Sequence, residues 1–151
     1  MGFIRLAGLA GFALLTAGCA TQSPIEPTRA YEGAPKQPDE VAVAECGFSA
    51  RIVAIDGNDD LQCQPLEDRF SLTPGDHTFT IHLAPSAPGA GDSPTEPRQV
   101  TFHLKAGQTY DISAFAQPVA DKAWALVITN RTTGEDLINP YHPDSVAKGS
   151  L

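Results

Sequence analysis

The chain has little positive charge. Ten lysine and arginine residues stand against 18 aspartate and glutamate residues among 151 positions, which gives a formal net charge of −8. Nucleic acid and anionic lipid surfaces both require clustered basic side chains on their partners, so this composition argues against both classes of partner. The acidic balance is sufficient to keep a small domain soluble.

Long apolar runs are also lacking. The run at residues 6–15 has about ten residues and follows Arg5, whereas a membrane-spanning helix needs about 20. A short apolar run behind a positive charge is typical of a cleaved signal peptide. We therefore interpret residues 1–18 as a signal segment, and the remaining length allows one domain.

A short motif follows the apolar run. Residues 15–19 read Leu-Thr-Ala-Gly-Cys, which resembles the lipobox of bacterial lipoproteins. In that family the cysteine thiol receives diacylglycerol, a peptidase cuts before the cysteine, and the new amine is usually acylated. The resemblance implies a lipid anchor at Cys19, and Ala20 in place of an aspartate implies the outer membrane. An ordinary cleaved signal with an incidental cysteine is the alternative.

Cysteine is scarce, and only Cys46 and Cys63 are left besides the expected lipid site. In an oxidising compartment such as the periplasm, an even pair is expected to form a disulfide. The two residues are 17 positions apart, and closing a loop of this length stabilises a fold by about 3 kcal/mol. Two free buried thiols, or metal ligation together with a histidine, are the alternatives. A redox-active pair is not expected, because the Cys-x-x-Cys spacing is absent.

Residues 19–42 are predicted to form the lipid anchor and a flexible linker. The segment is polar and contains four prolines, so it cannot bury enough apolar area to offset the entropy of ordering. Residues 40–45, which span the boundary between this segment and the domain, fit either a first strand or a short helical turn. We predict a folded domain at 43–142 and a tail at 143–151.

Alternation of apolar and polar residues predicts strands in this domain. The clearest is 76–83, which follows the turn signal Pro74-Gly75. Its apolar face consists of Phe79, Ile81 and Leu83. Other strands are predicted at 48–55, 70–72, 98–104, 109–115, 122–129 and 136–139. Residues 61–64 fit a further short strand, and a mobile hairpin loop is predicted at 85–97. About seven short strands without a helical pattern favour an all-β fold, a small antiparallel β-sandwich of Ig-like or transthyretin-like type.

The order of turn and core residues resembles PEGA-like and related envelope lipoprotein domains. The matching pieces are Val-Ala-Ile-Asp-Gly at 53–57, Leu-Thr-Pro-Gly-Asp-His at 72–77, Lys-Ala-Gly-Gln-Thr-Tyr at 105–110, Trp124 and Thr133-Gly134. These are turn and core residues, so the resemblance implies a fold and brings no catalytic residues with it.

Two histidines are candidates for a metal site. His82 and His103 are predicted on the outward faces of strands joined by the 85–97 loop. If these strands pair, the two rings and a carboxylate such as Asp76 or Asp111 would suit zinc or copper. Solvated histidines on the wet face of a sheet are the alternative, and we expect no metal or other cofactor.

Two further motifs lack the context that their chemistry needs. Gly91-Asp92-Ser93 is similar to the nucleophile motif of one esterase class, but it lies in a proline-rich loop without a downstream Asp-x-x-His. The acidic residues Asp56, Asp59 and Asp60 lack the spacing of a calcium loop and predict a polar turn. No set of catalytic residues can be assembled from the predicted strands, so we predict that the protein is not an enzyme.

The predicted role is that of a structural or interaction module of the cell envelope. Its predicted partners are the lipid bilayer, through acylated Cys19, and an envelope protein, with no nucleic acid. A small-ligand or metal-binding module that uses the outward face of His82 and His103 is the alternative.

Overall fold

The computed structural model describes residues 26–66, 68–85, 87, 96–117 and 124–142. These residues form nine strands and no helix, and none of them belongs to a helix that could cross a membrane. The strands are β1 (Thr28–Arg29), β2 (Ala42–Cys46), β3 (Ala50–Ile55), β4 (Arg69–Leu72), β5 (Gly75–Leu83), β6 (Arg98–Leu104), β7 (Thr109–Phe115), β8 (Ala125–Asn130) and β9 (Glu135–Ile138). The prediction of an all-β fold is confirmed.

The strands form two sheets. One has six strands in the order β1-β4-β2-β7-β8-β9, and the other has three in the order β3-β5-β6. Most neighbours are antiparallel, as predicted, but β1 pairs with β4 and β2 pairs with β7 in parallel. A purely antiparallel layout is therefore wrong at these two pairs.

The inner faces of the two sheets share one apolar core. The alternation predicted for β5 is confirmed, because Phe79, Ile81 and Leu83 are all buried. Phe79 stacks on Phe102 of β6 with ring centroids 4.9 Å apart. Phe102 in turn lies 6.0 Å from Tyr110 of β7, so this contact joins the two sheets.

Trp124, the largest apolar side chain of the core, directly precedes strand β8. Trp124 is 3% exposed, and Leu126 and Ile128 on the same face are also buried. The guanidinium of Arg98 lies 5.1 Å from the centre of the Trp124 ring and donates to the Trp124 carbonyl at 3.3 Å. The strand lies next to the edge strand β9 rather than at the centre of its sheet.

The largest differences from the predicted elements lie before β5. Residues 40–45, which fitted a strand or a helical turn, contribute to strand β2. Thr28 and Arg29, inside the predicted linker, pair with Phe70 and Ser71 of β4. The predicted strand 61–64 is reduced to a single bridge between Cys63 and Ile52.

The Pro74-Gly75 turn leads into β5 as predicted. Gly75 has a φ of 137°, a conformation that side chains with a Cβ rarely adopt. The predicted loop at 85–97 lies mostly outside the described residues.

Candidate binding cleft

An open cleft of about 510 Å³ lies on the outer face of the six-stranded sheet, opposite the core. Charged side chains from four neighbouring segments line it. They are Glu45 at the end of β2, Asp68 and Arg69 at the start of β4, Asp111 of β7, and Arg131 after β8. Sequence reasoning missed this cleft, although Asp111 had been named as a carboxylate for a metal.

The strand register brings these charges together. Glu45 lies opposite Arg69 on one side and opposite Asp111 on the other, because β2 is placed between β4 and β7. Two carboxylates facing each other on paired strands repel. Arg131 offsets that repulsion, since its guanidinium lies 3.4 Å from Glu45 and 3.8 Å from Asp111.

Glu45 is the centre of the charge network. Its Oε1 lies 3.1 Å from the Arg69 guanidinium, and its Oε2 faces Arg131. The Glu45 side chain is only 18% exposed, whereas the Arg131 side chain is 61% exposed. A guanidinium carries five N–H donors, more than these contacts use, so both arginines can bind a further acceptor in the cleft.

The wall beside Asp111 depends on a glycine. Asp111 Oδ1 accepts a hydrogen bond from Ser113 Oγ at 2.5 Å, and Ser113 Oγ accepts one from the backbone N–H of Phe48 at 3.0 Å. A Cβ at Gly47 would collide with both of these side chains. Gly47 therefore leaves the space in which the Asp111 carboxylate is held, a role that no motif in the sequence indicated.

The two candidate metal ligands do not meet. Within the β5–β6 pair, His103 lies opposite Asp76, and its Nδ1 is 2.7 Å from Asp76 Oδ1. His82 lies six positions further along β5, which corresponds to about 20 Å. The hypothesis that these two rings share a metal ion therefore fails on the strand register. Within the described ranges, no group of three or more potential metal ligands occurs.

His77 and Asp56 connect two turns. His77 Nδ1 lies 2.6 Å from Asp56 Oδ2, and His77 Nε2 lies 2.8 Å from the carbonyl of Thr73. The other Asp56 oxygen accepts a hydrogen bond from the backbone N–H of Thr78 at 2.8 Å. These contacts hold the turn after β3 against β5, which is a structural role.

A disulfide joins Cys46 and Cys63, as predicted. The two Cα atoms are 6.4 Å apart, and both residues are buried. The bond connects the end of β2 to the segment whose Cys63 N–H donates to Ile52 of β3. Cys19 and the Gly91-Asp92-Ser93 motif lie outside the described residues.

Comparisons of the chain with protein-family models, with curated proteins and with solved structures found no match. The cleft presents charges of both signs to a ligand, and its positive charges are those of Arg69 and Arg131.

Proposed function

We propose that the chain is a bacterial lipoprotein that is cleaved before Cys19 and held at the outer membrane by lipid on that cysteine. The observation that carries this proposal is the Leu-Thr-Ala-Gly-Cys motif directly after the apolar run at 6–15. Each buried methylene of an acyl chain contributes about 0.8 kcal/mol, and two or more chains anchor a protein stably. The domain then faces the periplasm.

The disulfide supports this location. Disulfides persist in oxidising compartments such as the periplasm and are rare in the cytosol. The bond between Cys46 and Cys63 is buried in the domain core. An oxidising environment is therefore consistent with the export that the proposed signal segment provides.

We also propose that the domain is an Ig-like or transthyretin-like sandwich related to PEGA-like domains. This proposal depends on the order of turn and core residues that resembles those domains. Two of the matching sequence pieces lie against each other in the domain, through the contact of Asp56 with His77. The two parallel strand pairs are the feature that distinguishes this domain from a purely antiparallel sandwich.

The proposed role is non-enzymatic binding of an envelope protein through the charged cleft. Arginine is enriched at the centres of protein interfaces, and Arg69 and Arg131 both line the cleft. A lipid anchor confines the domain to the membrane surface and so raises its effective concentration near a membrane partner. Strand addition at β6, an edge strand of seven residues, is the alternative surface for the same partner.

The anchor is tested by Cys19→Ser in cells that express the full chain. We expect the variant to move from the membrane fraction to the soluble fraction and to lose incorporation of labelled fatty acid. Thr21→Ser, a similarly small change two residues away, is the control and should behave like the native protein. Retention of Cys19→Ser in the membrane fraction would contradict the anchor.

The cleft is tested by crosslinking in intact cells, followed by identification of the crosslinked proteins. We expect a recurrent partner of the native protein that is at least fivefold depleted with Arg131→Ala. Lys105→Ala removes an exposed charge outside the cleft and serves as the control. A partner captured equally by both variants, or no recurrent partner at all, would contradict the cleft proposal.

A further inference from the structure

The exposed large apolar side chains of the described residues are few. They are Leu66, Phe48 and Tyr141, which are 74%, 44% and 40% exposed. Phe48 and Tyr141 both contact Phe115, with ring centroids 5.6 and 6.3 Å away. Such side chains contribute little to the core, so their grouping needs an explanation.

The hydrogen bonds place these residues in one row across the end of the six-stranded sheet. Leu66 N–H donates to the Cys46 carbonyl at 2.8 Å, which puts Leu66 beside the chain that continues from β2. On the other side of that chain, Ala114 N–H donates to the Phe48 carbonyl at 2.8 Å, next to Phe115. Tyr141 follows β9 and packs edge-on against Phe115. We call Leu66, Phe48, Phe115 and Tyr141 the apolar row.

The chain enters the domain at the same end. Strand β1 runs parallel to β4, with Thr28 opposite Phe70. Glu26 and Pro27 precede Thr28 and therefore lie on the side where β4 begins, which is the side of Leu66. Thr28 follows Cys19 by nine positions, and a chain of that length spans at most about 30 Å.

We propose that the apolar row contacts the lipid surface in which Cys19 is anchored. This inference depends on the proposed lipidation. A short connection that joins β1 at this end of the sheet would keep this end of the domain nearest the bilayer. Aromatic side chains such as those of Phe48 and Tyr141 suit the boundary between headgroups and acyl chains.

The backbone conformation of Leu66 indicates that this residue is not there to stabilise the fold. Leu66 has a φ of 64°, in the left-handed region that leucine rarely adopts. This conformation directs an apolar side chain to the rim of the cleft, where it remains 74% exposed. The fold gains little burial from this leucine, whereas a lipid contact would bury it.

Charges of both signs lie near the row. Asp68 is exposed two positions after Leu66, and the guanidinium of Arg69 follows it directly. These charges offset each other in part, so the expected contact is made by the apolar side chains and is insensitive to salt.

The test uses the full-length protein, purified from membranes and reconstituted in phosphatidylcholine vesicles that contain brominated acyl chains. Leu66→Trp and Tyr141→Trp place a fluorescent reporter at each end of the row. Thr133→Trp is the control, since Thr133 is exposed in the turn between β8 and β9 at the opposite end of the sheet. The native Trp124 is buried and contributes the same background to every variant.

We expect bromine to quench the added emission at Leu66→Trp and Tyr141→Trp at least twofold more than at Thr133→Trp. A protein that floats with the vesicles but shows equal quenching at all three positions overturns the proposal for the row and leaves the anchor standing. A protein that does not float with the vesicles overturns the anchor and the row together.

Discussion

The two ends of the six-stranded sheet differ in what they bury. At one end, Tyr110, Gln108 and Asn130 form a hydrogen-bonded group beneath the turns that flank β7 and β8. At the other end, the apolar row leaves large side chains in contact with solvent. The first end uses its residues to stabilise the fold, whereas the second presents residues from which the fold gains little.

The polar end is closed by mutual hydrogen bonds. Asn130 is 2% exposed, and its Nδ2 donates to Gln108 Oε1 at 2.5 Å. The Tyr110 hydroxyl donates to the same oxygen at 3.2 Å and accepts from the Lys105 N–H at 2.9 Å. Buried polar groups that are paired in this way stabilise one arrangement of the surrounding turns.

The largest effect is expected where an aromatic residue near the apolar row is buried. Trp124→Ala should lower the free energy of unfolding by about 3–5 kcal/mol, because the ring is 3% exposed and its removal leaves a cavity. Phe48→Ala, a truncation of an exposed ring at the same end, is the matched control and should cost far less. Urea denaturation measures both, and equal losses would remove the distinction between core and row.

The disulfide should contribute nearly as much. Loss of the bond between Cys46 and Cys63 should cost about 3 kcal/mol, because the bond restricts the unfolded chain. Urea denaturation with and without reductant measures this, with the double variant Cys46→Ala, Cys63→Ala as the reference. The native protein should lose stability on reduction and the double variant should not. An unchanged native protein would contradict the stabilising role.

A smaller loss is expected at the polar end. Tyr110→Phe removes the hydroxyl from Gln108 and Lys105 and should cost about 1–2 kcal/mol at pH 7. Phe102→Tyr tests the reverse change, since a hydroxyl added to that buried ring should also destabilise. No loss on Tyr110→Phe would mean that the polar group does not stabilise the fold.

The same tyrosine predicts a pH dependence. Burial raises the pKa of the Tyr110 hydroxyl above its ordinary value of 10.0, and the hydrogen bond from Lys105 opposes this in part. A raised pKa in the folded state favours the neutral phenol there, so its stabilisation is complete below pH 10 and is lost as the pH rises further. Above pH 10, the melting temperature should therefore fall less steeply with pH for Tyr110→Phe than for the native protein. Equal slopes for the two proteins would contradict this.

The smallest effect has the opposite sign. Leu66→Asn should raise the free energy of unfolding by up to about 1 kcal/mol, because asparagine tolerates the left-handed backbone that strains leucine. Leu66→Ala keeps the strain and is the control. If Leu66→Asn has a lower melting temperature than the native protein, the leucine stabilises the fold. Leu66 would then not be a residue from which the fold gains little.

Local sequence patterns predicted part of this fold well. The bounds of β6 and β7 match the predicted 98–104 and 109–115, because alternation and flanking turns define a strand from its own residues. The parallel pairing of β2 with β7 was missed, since contacts between residues more than 60 positions apart leave no local signal. Strand β1 was missed because its surroundings are polar and rich in proline.

The candidate site was less predictable than the fold. Glu45 and Asp111 become neighbours only through the β2–β7 register, and Arg131 reaches them from the turn after β8. The histidine pair fails for the same reason. The strands that carry His82 and His103 do pair, but the register that separates the two rings cannot be predicted from alternation.

The lipid anchor at Cys19 is tested most directly by the intact mass of the protein extracted from the membrane fraction. We expect a chain that begins at Cys19 and carries the added mass of diacylglycerol and an acyl group, with lipid fragments assigned to that residue. A chain that begins elsewhere, or one that begins at Cys19 without added lipid, would contradict it.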